Sequence, residues 1–217
     1  YQEACKVPPE LNAAIARTTS KALSIWASAR ENENVAEYLP ILTEIVNLKR
    51  EKAEALTEAN TYYDALADEY EPGMSTAHIS VMFEELRPTL VGLRKEIFAE
   101  DKILSVSNNF DKNIQLKLAK ELAVTFGYDL SKGRIDRAVH PFSSGSGDDV
   151  RITTRTDPSD PFNCIYSTIH EVGHATYEQN INNDYVFTPL GRGVSLGVHE
   201  SQSRIFENQL GRSRAFT

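Results

Sequence analysis

The pentapeptide His170-Glu171-Val172-Gly173-His174 is the stretch that decides the fold and the chemistry expected of this chain. In a helix, residues four positions apart lie on the same side, about one turn from each other, so both imidazoles can reach one metal ion. Glu171 lies roughly 100° around that helix and can hold a water molecule beside the ion. This HExxH pattern therefore predicts a zinc-binding helix.

A pair of histidines needs a third protein ligand to make a catalytic zinc site, in which the fourth position stays open. Glu200, within Val198-His199-Glu200-Ser201-Gln202, follows on a second predicted helix. Glu178 and Glu207 compete for the same role, and spacing alone leaves the choice among the three carboxylates open.

The alternative for HExxH is a surface helix that carries two solvated histidines. Apolar residues with helical spacing precede the motif, which favours a helix that packs inward; they are Phe162, Ile165, Tyr166 and Ile169. Gly173 lies inside the same helix, where glycine costs about 1 kcal/mol relative to alanine. This glycine indicates close approach by another backbone or a ligand, although packing alone also explains it.

Composition bounds the class of protein. The chain has 217 residues, of which 41% are hydrophobic and 25% charged, with a formal net charge of -8. These values are ordinary for a globular protein with a sizeable core. The sequence lacks a block rich in lysine or arginine, which argues against nucleic-acid binding. Its apolar runs are shorter than the ~18 residues that a membrane span needs.

The cysteines and the chain ends indicate the compartment and the extent of the domain. Cys5 and Cys164 are far apart in sequence and are expected to be free thiols in a reducing, cytoplasmic compartment. The start, Tyr1-Gln2-Glu3-Ala4, has no targeting signal and is interpreted as an internal cut. The end, Arg212 to Thr217, has no domain-closing signal.

Apolar periodicity predicts long helices in the first half of the chain. Pro40 is expected in the first turn of one helix or at a kink, and Pro88 is expected to bend another. Ser75 is a candidate N-cap and Gly127 a candidate C-cap. The predicted helices are Glu10–Ala29, Asn34–Ala67, Ser75–Ala99 and Asp111–Phe126.

The pattern of apolar residues changes after these helices. Arg134–Val139 and Val150–Arg155 are short and partly alternating, which predicts two antiparallel strands joined by the flexible segment Ser143–Asp149. Two helices, Pro161–Asn180 and Val194–Leu210, are predicted to close the chain. The expected fold class is mainly α, with one small antiparallel sheet beside the HExxH helix.

Several ordered motifs, spread over nearly the whole chain, resemble the carboxypeptidase Taq family of metallocarboxypeptidases. The matching stretches are His140-Pro141-Phe142, Asp149-Val150-Arg151-Ile152-Thr153, His170–Gln179, His199–Arg204 and, earlier in the chain, Tyr63–Leu66 with Tyr70–Met74. The resemblance implies a zincin-like helical metallopeptidase with a deep groove. It also implies removal of single C-terminal residues from peptides, with broad specificity.

The resemblance also selects among the candidate site residues. It implies that His170, His174 and Glu200 hold one divalent metal ion, with zinc as the expected ion and cobalt as the alternative. Zinc in such a site lowers the pKa of bound water toward ~7 and polarises the scissile carbonyl. Glu171 would take the water proton and pass it to the leaving amine.

Three further residues are candidates for substrate binding, each with a structural alternative. His199 is either an outer hydrogen-bond partner of a ligand or a polar residue of the groove. Arg151 could bind a substrate carboxylate or pair with a neighbouring aspartate, Asp148, Asp149 or Asp157. His140 is interpreted as a strand-end residue that shapes the groove. The edge of the small sheet could pair with an extended peptide.

Known members of this family are considerably longer than this chain. We therefore interpret residues 1–217 as the central part of one metallocarboxypeptidase domain, with long helices over 1–130 and the sheet and zinc-binding helices over 131–217. A segment that binds the substrate's terminal carboxylate is expected to be missing. The alternatives to a zinc exopeptidase are an endopeptidase or oligopeptidase, and a non-catalytic fragment that binds metal or self-associates. Apolar surface left uncovered is expected to drive homodimerisation.

Overall fold

The computed structural model describes residues 5–56, 61–99 and 109–217, and the chain divides into two units, Tyr1–Asp101 and Lys102–Thr217. The first unit contains helices only among its described residues. They are α1 (Pro9–Glu31), α2 (Val35–Leu56), α3 (Tyr62–Ala67) and α4 (Thr76–Ala99). The mainly α fold class predicted from periodicity is confirmed.

The single helix predicted over Asn34–Ala67 is wrong, because the chain forms α2 and α3 there. Thr61 starts the second helix in an extended conformation, and its side chain accepts a hydrogen bond from the Asp64 amide at 3.0 Å. A threonine that satisfies a free amide in this way favours a new helix start over continuation. Residues 57–60 of the predicted helix lie outside the described residues.

Two prolines lie inside continuous helices of this unit. Pro40 is in the second turn of α2 and not in its first turn, and Pro88 is within α4. The bends predicted at these two prolines stay predictions. Ser75 precedes α4 and accepts a hydrogen bond from the His78 amide at 3.4 Å, as its predicted capping role requires. Neither proline terminates its helix.

The helices of the first unit pack unevenly. Helices α1 and α2 pair along their length, and the Thr18 hydroxyl on α1 donates to Glu44 Oε1 on α2 at 2.8 Å. A small cluster of Val7, Leu56 and Ala65 joins α2 and α3. Helix α4 buries none of its residues. Its exposed apolar side chains include Val81, Phe83, Leu86, Leu90, Leu93, Ile97 and Phe98.

The second unit places one small sheet against three helices. The helices are α5 (Lys112–Thr125), α6 (Pro161–Gln179) and α7 (Leu196–Arg204), which continues as a π-helical turn over Ile205–Leu210. The strands are β1 (Ile135–Arg137), β2 (Phe142–Ser146) and β3 (Asp149–Thr154). The predicted bounds of α5 and α6 hold within two residues.

The caps of α5 agree with the sequence. The Asp111 carboxylate accepts from the amides of Asn113 and Ile114 at 2.8 and 2.9 Å, which satisfies two free donors at the helix start. Gly127 follows the helix at φ 94°, in the left-handed region that a C-terminal glycine commonly adopts.

The sheet differs from the predicted antiparallel pair. Its order is β1-β3-β2, and β1 runs parallel to β3, so the predicted pairing direction is wrong. The antiparallel partner of β3 is β2, which occupies most of the segment predicted to be a flexible connection. The physical reason is the tight turn at Gly147-Asp148, with Gly147 at φ 59°, which folds β2 directly onto β3.

Alternation along β3 orients the sheet toward the HExxH helix. Val150, Ile152 and Thr154 are fully buried, whereas Arg151 on the opposite face is exposed. Val150 and Ile152 form a core with Val172 and Ala175 of α6. The sheet thus supports the back of α6 and leaves the histidine side of that helix free for the site.

Tyr128 ties the end of α5 to the sheet, and its environment predicts a pH dependence of stability. Its hydroxyl donates to the Val150 carbonyl at 2.6 Å, and burial raises its pKa to about 12. The unfolded state loses this proton near pH 10, whereas the folded state keeps it until about pH 12. The free energy of unfolding should therefore fall as pH rises from 10 to 12.

Tyr128→Phe should flatten that pH dependence and cost about 1 kcal/mol at neutral pH through the lost hydrogen bond. Denaturant unfolding at pH 7, 10 and 12 measures both effects. Tyr63→Phe, at an exposed tyrosine of α3, is the matched control. An unchanged slope in Tyr128→Phe between pH 10 and 12 would refute this role.

Among the helices that the structure describes, none is long and apolar enough to cross a membrane.

Candidate metal centre

Helix α6 presents the two histidines of HExxH on one side. The helix begins at Pro161, and the carboxylate of Asp160 accepts from the Asn163 amide at 3.1 Å. His170 and His174 project one turn apart, and the distance between their Nε2 atoms is 3.2 Å. Glu171 lies between them and is buried.

Helix α7 approaches α6 at Gly173. A Cβ atom placed on Gly173 would lie 2.5 Å from the Ser203 Cα and 2.9 Å from the Gln202 carbonyl oxygen. The close approach of another backbone, predicted from this glycine, is confirmed. Contact between the two helix backbones brings Glu200 on α7 to the histidines of α6.

Three donor atoms converge between the helices: His170 Nε2, His174 Nε2 and Glu200 Oε2. The carboxylate oxygen lies 3.6 Å from His170 Nε2 and 3.2 Å from His174 Nε2. With metal–ligand bonds of about 2.0–2.2 Å, neighbouring ligands of a tetrahedral zinc ion stand roughly 3.3–3.5 Å apart. The donor types and their separations therefore fit a divalent metal ion with a His2Glu ligand set.

The competing carboxylate Glu207 lies behind His170. Its Oε2 is 3.0 Å from His170 Nδ1, the nitrogen that faces away from the donor cluster. Arg204 and Arg212 each donate to Glu207, at 3.1 and 2.8 Å, and Arg204 also donates to Glu200 Oε1 at 2.8 Å. These bonds orient the ring of His170 and turn the free oxygen of Glu200 toward the cluster.

The other competitor, Glu178, lies behind His174 and contacts it through His199. The distance from His174 Nδ1 to His199 Nδ1 is 2.6 Å, and that from His199 Nε2 to Glu178 Oε1 is 2.8 Å. His199 therefore contacts the outer nitrogen of His174, and its role stays a prediction.

The pKa values of the two carboxylates nearest the histidines, Glu171 and Glu200, are shifted in opposite directions. Burial, with the nearby charge of Glu200, raises the pKa of Glu171 to about 7. Burial also raises the pKa of Glu200, but His170 and Arg204 outweigh it and the net pKa is lowered. Carboxyl groups whose pKa values are pushed apart indicate separate roles, with the raised one suited to proton transfer near neutral pH.

The pKa of His174 is lowered to about 4, chiefly by burial and then by the neighbouring imidazoles of His170 and His199. A neutral ring keeps a lone pair on one nitrogen, which is the form that binds a metal ion. The ring is therefore ready for metal at neutral pH.

A groove of about 550 Å³ opens beside the cluster, and His140 lines it together with His170 and Glu171. The Thr153 hydroxyl accepts from the Phe142 amide at 3.0 Å and donates to the His140 carbonyl at 3.1 Å. Strand β3 thereby fixes His140 and Pro141 at the groove, and the shaping role of His140 stays a prediction.

Arg151 lies apart from the donor cluster. It makes a bidentate ion pair with Asp149, with its Nε 2.7 Å from Oδ1 and its Nη2 2.9 Å from Oδ2. It projects from the exposed face of β3, whereas α6 packs against the buried face. The structure therefore shows the ion-pair alternative of the sequence analysis.

Arg204 and Arg212 are partners of Glu207 that were not predicted from the sequence. Arg212 also stacks on the Tyr166 ring at 3.9 Å. The spacing of Arg204 from Glu200, four residues on one helix, was a readable signal for their pairing. No comparable signal marked Arg212, because it depends on the π-helical turn that carries Glu207.

The family model described as "Carboxypeptidase Taq (M32) metallopeptidase" matches residues 1–217. The chain therefore belongs to this metallopeptidase family. It is 41% identical to thermostable carboxypeptidase 1 of Thermus thermophilus, over 100% of this chain and 45% of that protein. It is 38% identical to thermostable carboxypeptidase 1 of Pyrococcus furiosus, over 96% of this chain and 43% of that protein.

Solved structures agree with this assignment. An M32 carboxypeptidase from Deinococcus radiodurans R1 matches with a TM-score of 0.86 and 37% identity, covering 99% of this chain and 44% of that one. Trypanosoma cruzi metallocarboxypeptidase 1 matches with a TM-score of 0.78 and 33% identity, covering 96% and 43%. The chain spans a little under half the length of these relatives.

Proposed function

We propose that this chain carries the metal and water-activating centre of a zinc-dependent carboxypeptidase that removes single C-terminal residues from peptides with broad specificity. The observation that carries the proposal is the convergence of His170 Nε2, His174 Nε2 and Glu200 Oε2, with the buried carboxyl of Glu171 beside them. Membership of the metallopeptidase family supports a peptide substrate and a divalent metal.

The residues of the chain divide the work as follows. His170, His174 and Glu200 would hold the metal ion, and a bound ion would supply an activated water and polarise the scissile carbonyl. The Glu171 carboxylate would accept a proton from the attacking water and return it to the amine of the leaving residue. His140 lines the wall of the groove beside them.

The environment of Glu171 suits this role. A general base works best with a pKa near the operating pH, and burial raises the pKa of Glu171 to about 7. A bound dication would lower that pKa and make the carboxylate available at neutral pH. The groove that opens beside His170 and Glu171 has room for a peptide end, with a volume of about 550 Å³.

Replacing Glu171 with glutamine tests the proposal. The variant should retain one zinc ion per chain, because the three ligands remain, and should lose turnover by roughly 10²–10⁴-fold because the base is gone. The assay uses the zinc-loaded chain and an N-blocked dipeptide with a free C-terminus. Glu121→Gln, at an exposed glutamate of α5, is the control that changes charge equally without touching the site.

The outcomes separate the candidate activities. Zinc in both proteins with turnover in neither would overturn the active-enzyme proposal. Cleavage of the same peptide when its C-terminus is amidated would identify an endopeptidase or oligopeptidase instead. Turnover with cobalt in place of zinc would leave the residue roles intact and change only the metal.

A second candidate, a non-catalytic fragment that self-associates, is favoured by the exposed apolar side chains of α4. A homodimer would cover them, and so would the additional length found in the relatives. Sedimentation of the chain tests the homodimer, since a monomeric profile would argue against it. We also propose a cytoplasmic location, because Cys5 and Cys164 are both free thiols.

A further inference from the structure

His199 and Glu178 extend the site beyond its three donor atoms. His174 directs Nε2 at the cluster, 3.2 Å from Glu200 Oε2, and directs Nδ1 at His199. His199 in turn directs its second nitrogen at Glu178 Oε1, 2.8 Å away. Successive contacts therefore connect the carboxylate of Glu178 to His199, then to His174, and then to Glu200 in the donor cluster.

The hydrogens of these contacts can be placed from the chemistry of each group. A carboxylate only accepts, so Glu178 receives a hydrogen bond from His199 Nε2–H. With a metal ion bound at His174 Nε2, that nitrogen would carry no hydrogen, and His174 Nδ1–H would be the donor to His199. A neutral His199 would then accept at Nδ1 and donate from Nε2 to Glu178.

We infer that Glu178 and His199 are positioning residues, which act as a two-step relay that sets the tautomer and ring orientation of His174 for metal. The inference rests on the proposed function, since it assumes that His174 Nε2 binds the ion. Glu178 also has the spacing for this role: it lies four residues after His174, as His174 lies four after His170, on one side of α6.

The surroundings hold His199 in this one orientation. The edge of its ring meets the Tyr177 ring, with centroids 5.1 Å apart and an interplanar angle of 83°. Gly193 passes so close that a Cβ there would lie 2.6 Å from His199 Cδ2. The side chains of His199 and Glu178 are only 20% and 12% exposed, which shields their hydrogen bond from water.

Among the described residues, the hydrogen-bond partner of the Glu178 carboxylate is His199. Within the described part of the chain, no lysine or arginine side chain forms an ion pair with Glu178, whereas Glu207 behind His170 is paired with Arg204 and Arg212. The two histidines of HExxH therefore have outer carboxylates of different character. Removing the charge of Glu178 should therefore weaken metal binding by His174, because no lysine or arginine pairs with Glu178 among the described residues.

Imidazole ¹⁵N NMR of the zinc-loaded 217-residue chain tests the relay directly. The expected spectrum shows hydrogen on Nδ1 of His174 and only on Nε2 of His199. Hydrogen on Nδ1 of His199, or on both of its nitrogens, would overturn the relay, because Nδ1 could then not accept from His174. This measurement requires no variant and is unaffected by any folding defect.

Zinc affinity, measured by competition with a chelator, provides the second test. Glu178→Gln should weaken zinc binding by about 10-fold and His199→Phe by up to about 100-fold, as loss of an outer hydrogen-bond partner typically does. His199→Gln, which keeps one donor and one acceptor, should recover part of the loss. Glu121→Gln should bind zinc as the unmodified chain does.

The outcomes distinguish this inference from the function on which it rests. If the parent chain binds zinc and both Glu178→Gln and His199→Phe bind it with unchanged affinity, the relay is overturned and the proposed function is not. A parent chain that binds no zinc would overturn the proposed function together with the relay. Thermal unfolding of the metal-free variants, expected to match the parent, shows that lost affinity comes from positioning.

Discussion

Replacing His174 with alanine is expected to weaken zinc binding by on the order of a thousandfold, or about 4 kcal/mol. Its Nε2 lies 3.2 Å from both His170 Nε2 and Glu200 Oε2, so the remaining pair would be left without the third corner of the site. Two ligands do not provide the coordination that protein zinc sites use. Chelator competition and the zinc content after dialysis measure the loss.

The control for this change is His78→Ala. His78 is an exposed histidine of α4 that contacts Ser75, outside the second unit, and its loss should leave zinc affinity unchanged. Stoichiometric, tightly bound zinc in His174→Ala would show that the ligand set of His170, His174 and Glu200 is wrong. Glu207 would then be the next carboxylate to test, since it already contacts His170.

Replacing Gly173 with alanine is expected to destabilise the second unit by about 3 kcal/mol, the upper range for forcing extra volume into a packed contact. The added Cβ would meet the Ser203 Cα at 2.5 Å and the Gln202 carbonyl at 2.9 Å. Both are backbone atoms that cannot rotate away, so α6 and α7 must separate. Because α7 carries Glu200, zinc affinity should fall together with stability.

The matched control is Gly92→Ala in α4. A Cβ on Gly92 would meet no atom within 4 Å, so only helix propensity remains, and alanine should stabilise by up to about 1 kcal/mol. Opposite signs in the two variants, measured by denaturant unfolding, would establish that helix contact and not propensity dictates glycine at 173. A stabilised Gly173→Ala chain would refute the close contact.

These two predictions probe different parts of one arrangement. Helical spacing within α6 sets the separation of His170 and His174, so His174→Ala should act on metal binding and leave the fold nearly unchanged. Glu200 reaches them across a helix contact, so a change at Gly173 should affect both metal binding and stability. A variant that loses stability and keeps zinc affinity would separate the helix contact from the site.

Local patterns in the sequence were sufficient to predict several helices. Helix bounds followed from apolar periodicity and from caps such as Asp111 and Gly127, which act within a few residues. The helix predicted across 34–67 was wrong because the capping interaction of Thr61 outweighed a continuing apolar pattern. The strand direction was wrong because the pairing of β1 with β3 depends on contacts distant in sequence.

For the site, the sequence by itself determined the His170–Glu171–His174 set, since three positions on one helix share their geometry through covalent connection. Glu200 was singled out among three carboxylates only by the resemblance to a family, because its distance to the histidines is a property of packing. Tertiary structure decided that Glu207 faces the outer nitrogen of His170 and that Glu178 reaches the outer nitrogen of His174 through His199. Helix contact at Gly173 and the π-helical turn after α7 set those positions, and neither has a local signature strong enough to read from the chain alone.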